Sequence, residues 1–211
     1  MNEEKLWEYA ERISKPETVL LKKINRETHL NVMHPRMLSG HINGSFLRMI
    51  SSMIHPFRIL EVGMYTGYSA ICLSEGLAPD GEIITIEHDP ELEEIALKYF
   101  REAGLEKRIR IHIGEATSVI ETLRDNFDLV FIDADKRDYP MIYQAVIEKT
   151  KKGGYIIADN VLWGGKIFDK VRHSDSDTQG IIEFNEFVMN DKRVDNVLLP
   201  FRDGMMLIRK K

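Results

Sequence analysis

The sequence predicts an α/β fold: a mostly parallel sheet with helices on both faces, a helical N-terminal cap and a closing antiparallel hairpin. From Phe57 onward, short β-branched runs alternate with helical segments, the pattern of consecutive βαβ units. Two of those runs, Leu129-Val-Phe-Ile132 and Tyr155-Ile-Ile-Ala158, are apolar without alternation, as strands buried on both faces should be. The last two runs, Val194 to Leu199 and Met205 to Ile208, are joined by Pro200-Phe-Arg-Asp-Gly204, a short glycine-containing connection that suits a hairpin.

Residues 1–56 read as helices. Leu6, Tyr9, Ala10 and Ile13 recur at helical spacing until Lys15-Pro16 breaks the run. Pro16 is placed to open a second helix through Val19, Leu20, Lys23 and Ile24. After His34-Pro35, a third stripe runs through Ile42, Phe46, Leu47, Ile50 and Ile54 and stops before Pro56. Met33, Met37, Met49 and Met53 read as core residues of this part. Residues 57–211 then give strands at Arg58 to Val62, Glu82 to Glu87, Ile109 to Ile113, Phe127 to Asp133 and Tyr155 to Asp159. Helices fall between them at Ser69 to Leu77, Pro90 to Ala103, Ala116 to Leu123 and Tyr139 to Lys149. Val161 to Asp177 reads as a long loop, followed by a helix from Thr178 to Met189 and the hairpin. There is no repeat, low-complexity tract or linker, so 1–211 is expected to form a single domain.

Composition narrows the function classes. The 29 basic and 34 acidic residues give a net charge of −5, which disfavours a broad nucleic-acid or anionic-membrane surface. The one cysteine, Cys72, excludes an internal disulfide and a Cys-based zinc site. No apolar run approaches the roughly 18 residues of a membrane span, and Met1-Asn-Glu-Glu-Lys5 is unlike a basic signal segment. A cytoplasmic enzyme is the expectation.

The first strand runs into Glu61-Val-Gly63-Met-Tyr-Thr-Gly67-Tyr-Ser69, a glycine turn that opens a helix. Such glycines let backbone approach a ligand beyond the strand ends, although an ordinary tight turn uses them too. Glu61 would repel a pyrophosphate but suits an ammonium group. Glu87, closing the second strand, is placed to accept from both hydroxyls of a ribose. An adenosine with a positive amino-acid tail satisfies both acids, which points to S-adenosylmethionine (SAM).

A second acidic group falls at two later strand ends, Phe131-Ile-Asp133-Ala-Asp135-Lys136 and Ile157-Ala-Asp159-Asn160. If these strands are neighbours, Asp133, Asp159 and Asn160 converge, and an all-oxygen set suits Mg²⁺. Taken singly, Asp133 also reads as a helix cap and Asp159-Asn160 as a turn. Lys136 reads either as a surface lysine or as a base whose pKa is depressed by burial and a neighbouring cation. The histidines show no metal-ligand spacing.

Together, Glu61-x-Gly-x-x-x-Gly-Tyr-Ser69, Phe131-Ile-Asp-Ala-Asp-Lys136 and Asp159-Asn-Val-Leu-Trp-Gly-Gly165 resemble the cation-dependent O-methyltransferases of the caffeoyl-CoA and catechol type. The likeness extends over nearly the whole chain, including Met37 to Leu47, Thr178 to Val194 and Leu199-Pro-x-x-Asp-Gly204. It implies the class I methyltransferase fold, with seven strands and the last antiparallel. It also implies that Glu61, Gly63, Met64, Ser69, Glu87 and Ala116 line the SAM site, with Met37 covering it and Asp133 contributing. Asp133, Asp159 and Asn160 match the metal ligands, Lys136 the proposed base and Asp135 a residue on the substrate side; a homodimer is expected. Trp163 and Phe168, in the 161–177 loop, would wall the acceptor pocket. Gly164 stands where plant caffeoyl-CoA enzymes carry an asparagine, and Ser39-Gly-His-Ile-Asn-Gly44 lacks the acids usual there. Both departures bear on the acceptor and leave the cofactor and metal positions intact.

The function expected is methyl transfer from SAM to a hydroxyl of a catechol-like small molecule, with a divalent cation such as Mg²⁺. A hydroxylated tRNA base is the alternative acceptor, and a non-catalytic nucleotide-binding module the alternative class.

Overall fold

In the computed structural model, residues 3–211 are described; Met1 and Asn2, which begin the polar N-terminal run, lie outside the described residues. Three helices come first: α1 (Glu3–Ile13), α2 (Val19–Asn31) and α3 (Gly40–Ile54). The start of α2 is set by Thr18 rather than Pro16. Its hydroxyl accepts from the Leu21 N–H at 3.2 Å, satisfying one of the otherwise unpaired amides of the first turn. Pro16 stays in the connection.

The sheet contains β1 (Arg58–Val62), β2 (Glu82–Glu87), β3 (Ile109–Ile113), β4 (Phe127–Ile132), β5 (Thr150–Asp159), β6 (Val194–Leu199) and β7 (Met205–Lys210). Between them lie α4 (Tyr68–Ser74), α5 (Glu93–Glu102), α6 (Ala116–Thr122), α7 (Tyr139–Lys149) and α8 (Ser176–Asn190). The strand order is β3-β2-β1-β4-β5-β7-β6. The first five strands pair in parallel, and β7 runs antiparallel to both β5 and β6. This is the class I methyltransferase arrangement expected from the sequence.

Side-chain alternation assigns the two faces. Leu60 and Val62 of β1 enter a core with Ile142, Tyr143 and Val146 of α7 and Ile181 and Phe184 of α8. Ile59 enters the opposite core, with Leu47 of α3, Tyr68 and Leu73 of α4 and Phe100 of α5. Phe184 stands edge-on to Tyr139 and Tyr143, with ring centroids 5.4 and 5.7 Å away, and so locks α8 to α7. Among the described residues, no helix is long and apolar enough to cross a membrane.

Three details differ from expectation. β5 begins at Thr150, five residues early, because Lys151-Lys-Gly-Gly154 continues the ladder past an irregularity between Phe127 and Leu129 of β4. The 161–177 loop contains a 3₁₀ stretch, Trp163–Phe168, kinked at Gly164 and Gly165 (φ 62° and 78°). Met33, Met37, Met49 and Met53 are not core residues: each is more than half exposed, Met33 reaching 79% and Met53 77%. The apolar stripe of α1 behaves likewise, with Leu6, Tyr9 and Ile13 exposed. Periodicity found these helices, but nothing among the described residues covers that face.

Candidate active site

Strand order reverses between β1 and β4, and in open α/β sheets a crevice forms at such a switch, beyond the C-terminal strand ends. A cavity of about 920 Å³ occupies that place, within the usual range for a small-molecule site. Its wall comes from the β1 turn, the tips of β2, β4 and β5, the start of α6 and residues 34–39 of the cap.

The β1 turn depends on its glycines. Gly63 has φ +101°, and a Cβ there would stand 2.0 Å from the Asp133 carbonyl oxygen. The tips of β1 and β4 therefore touch only because this residue has no side chain. Glu87 is 6% exposed and accepts three backbone N–H bonds, from Tyr65 at 2.8 Å, His88 at 2.9 Å and Asp89 at 3.0 Å. A carboxylate offers about four lone-pair positions, so this braced group retains capacity for a ligand hydroxyl. Met37, Met64, Ser69 and Ala116 also line the cavity.

Glu61 does not reach it. Register pairs Glu61 with Thr85, and both lie on the α4 face of the sheet. Its carboxyl is fully buried, and one oxygen accepts from the Thr85 hydroxyl at 2.5 Å while the other has no partner. Burial pushes its pKa up to about 8, against help from the Thr85 and Ser69 hydroxyls. The group so enclosed lies behind the turn and is not part of the cavity wall.

On the other side of the switch, Ile132 pairs with Ala158, so Asp133 and Asp159 follow at neighbouring strand tips. The Asp159 carboxylate is 3% exposed. It accepts from the Asn160 backbone N–H and from the Asn43 side-chain amide, both at 2.8 Å. Burial, then repulsion from Asp133, pushes it up to about 7. Asn160 lines the same cavity from a left-handed position, φ +58°. The donor set fits a divalent cation: two mutually repelling carboxylates beside an amide oxygen, a repulsion that a dication relieves. The Asn43 carbonyl oxygen, buried and without a partner, adds another oxygen at this wall. Among the described residues there is no cluster of three or more His, Cys, Asp or Glu suited to a metal, so an amide must complete any such site.

Lys136 is buried and its ammonium donates to Asp133 at 2.9 Å and to the Tyr139 hydroxyl at 2.8 Å. Tyr139 in turn donates to the Asp159 carbonyl at 2.8 Å. Burial alone would lower the lysine pKa, as the sequence reading expects, but the attraction of Asp133 and Tyr139 outweighs it and holds the group above its ordinary value. Lys136 thus stands in the protein as a paired cation. Asp135 and Trp163 line the cavity nearby, Asp135 exposed and Trp163 with its indole N–H buried and unpartnered.

Asn43, Tyr139 and Arg202 are not singled out as site residues by the sequence, although the 200–204 turn itself is. Tyr139 carried a signal, three residues beyond Lys136 at a helix start. Asn43 and Arg202 come from segments far away in the chain, and nothing local shows that they reach this cavity.

The sequence profile of the O-methyltransferase family matches residues 11–211. The catechol O-methyltransferase of Niastella koreensis is 33% identical over 173 residues, covering 78% of each chain. A probable caffeoyl-CoA O-methyltransferase of Dictyostelium discoideum is 30% identical and covers 92% of this chain and 86% of its own. Among solved structures, the O-methyltransferase TomG from Streptomyces achromogenes, in complex with SAM, superposes with a TM-score of 0.92 at 28% identity, covering 100% of this chain and 99% of its own. The profile match takes in the glycine turn after β1 and the tips of β4 and β5, and the chain belongs to the O-methyltransferase family.

Proposed function

We propose that the protein is a divalent-cation-dependent O-methyltransferase that moves the methyl group of SAM to one hydroxyl of a vicinal diphenol. The observation that carries this reading is the buried Asp159 carboxylate beside the partly exposed Asp133, at neighbouring strand tips on the same cavity as the braced Glu87. The relatives' names support the acceptor class, since catechol and the caffeoyl group both carry adjacent phenolic hydroxyls. The SAM in the TomG complex supports the methyl donor.

Glu87 is placed to accept from the ribose hydroxyls, and the Gly63–Ser69 turn to receive the amino-acid tail. Bound here, SAM supplies an electrophilic methyl group, and a cation held by Asp133, Asp159 and Asn160 supplies Lewis acidity toward a phenol of ordinary pKa about 10. The methyl carbon leaves sulfur for oxygen, giving a thioether and a methyl ether. The phenol proton passes to Lys136, which must first lose the one it holds. Its own proton goes to solvent, leaving the Lys136 amine held toward the cavity by Asp133 and the Tyr139 hydroxyl. Trp163 offers an apolar wall and an indole N–H to an aromatic acceptor. Holding acceptor and donor in one cavity contributes much of the remaining acceleration.

Mass spectrometry of reactions with SAM and Mg²⁺ and with catechol, caffeoyl-CoA or tRNA carrying a hydroxylated, unmethylated base tests the acceptor class. A methylated diphenol is expected; methylation of tRNA alone would overturn the reading. We also propose a homodimer. The exposed faces of α1 and α3, with Ile13, Met49 and Met53, support it as apolar surface left uncovered.

A further inference from the structure

The cavity wall is acidic, with eight carboxyl-bearing residues against four Lys or Arg. Two of those cations are already paired, Lys136 with Asp133 at 2.9 Å and Arg137 with Asp135 at 3.4 Å and Asp138 at 3.7 Å. Arg36 and Arg202 have no carboxylate within ion-pair distance among the described residues. Arg202 is the better defined. It sits in the β6–β7 turn at φ +51°, a left-handed conformation that glycine would adopt more freely.

Contacts on both sides fix this turn. The Phe201 ring packs against Trp7 of α1 and Phe46 of α3, with centroids 6.2 and 5.4 Å away. The Asp203 carboxylate accepts from the Gly164 N–H, while the Asp203 and Gly204 carbonyls accept from Leu162 at 2.9 Å and Val161 at 3.1 Å. Within this frame one Arg202 Nη1–H donates to the Ser39 carbonyl at 2.6 Å. The remaining guanidinium N–H groups have no acceptor among the described residues. A cation is thus held on the rim between residues 34–39 of the cap and the loop carrying Trp163.

We propose that Arg202 recognises a carboxylate on a ligand of this cavity. Its planar fork matches a carboxylate in geometry as well as charge, which a neutral ligand cannot exploit. The inference rests on the methyltransferase reading, which offers two sources of that group: the α-carboxylate of the cofactor's amino-acid tail, or an acid substituent on the phenolic acceptor.

Arg202→Asn removes the charge but tolerates the left-handed backbone, so the turn is kept; Arg202→Lys keeps the charge and loses the fork. Calorimetry on the full chain would compare S-adenosylhomocysteine with 5′-methylthioadenosine, which lacks the carboxylate. On protein saturated with S-adenosylhomocysteine and Mg²⁺, it would compare 3,4-dihydroxybenzoate with catechol. Arg202→Asn is expected to weaken one acid by about ten-fold or more, leaving its neutral counterpart within about two-fold, with Arg202→Lys in between. Loss confined to S-adenosylhomocysteine names the cofactor tail, and loss confined to 3,4-dihydroxybenzoate names the acceptor. Unchanged affinity for both acids, or equal loss for acid and neutral ligands, overturns the proposal. Wild-type protein that binds S-adenosylhomocysteine but neither diphenol removes the diphenol reading, while the cofactor arm still decides the role of Arg202.

Discussion

Glu61 is a carboxyl group enclosed by the sheet and α4, with one oxygen on Thr85 and the other unpaired. Its pKa in the folded protein, about 8, lies above the ordinary 4.5. The folded state therefore holds the proton more tightly than the unfolded chain. The stability this group confers is complete below about pH 4.5 and is lost as pH rises toward 8. Glu61→Gln keeps the shape and removes the titration. Urea denaturation at several pH values should show the variant losing stability less steeply than the parent across that window, by up to about 1.4 kcal/mol per pH unit. Parallel curves would mean that another group titrates. The sequence located Asp133, Asp159, Asn160 and Glu87 because strand ends can be read from apolar runs, and all four line the cavity. It could not orient Glu61, since that depends on which face of β1 is covered by α4. For Lys136, spacing from Asp133 fixed the neighbourhood, but the direction of its pKa depends on Tyr139 and on the depth of burial. A Lys136→Ala variant should lose about 10²–10⁴-fold in turnover, the usual contribution of a proton-transferring group. Its affinity for S-adenosylhomocysteine should stay within about two-fold; turnover within a few-fold of wild type would remove the residue from the chemistry.

Elements are positioned by close approaches as much as by apolar pattern. The tips of β1 and β4 meet at Gly63, where a methyl group would face backbone that has nowhere to move. Gly63→Ala should cost about 1–3 kcal/mol from overpacking, with further loss from the φ of +101°. It should also weaken S-adenosylhomocysteine binding, because the cavity is built on that junction. Thermal unfolding and calorimetry check both, and a variant as stable as the parent with unchanged affinity would contradict the packing. The strands β1 to β4, β6 and β7 and all the long helices were readable from composition and period. The first half of β5 was not, because its Lys-Lys-Gly-Gly sequence has turn chemistry and is held as strand only by its neighbours. Helical period likewise placed α1 and α3 but not their surroundings: an apolar stripe marks a face that avoids water, whether it meets the core or another molecule.

Across the whole molecule, the order reversal in the sheet gathers residues from every part of the chain onto one crevice: Met37 and Asn43 from the cap, Glu87 from β2, Asp133 and Asp159 from the central strands and Arg202 from the hairpin. The exposed stripes of the cap are the surface on which the proposed homodimer would form, and light scattering should report a mass of two chains, near 49 kDa for a subunit of 24.5 kDa; a mass of one chain would contradict it. The acidic wall favours a ligand that brings positive charge, as a sulfonium donor and a divalent cation both do. The most direct test follows transfer of a labelled methyl group from SAM to catechol by chelator-treated protein, with and without added Mg²⁺, for wild type and Asp159→Ala. Wild type should make the methyl ether only when the cation is restored, and Asp159→Ala should make none while still binding S-adenosylhomocysteine. Full turnover in the presence of chelator, or by Asp159→Ala, would contradict a cation held at the tips of β4 and β5.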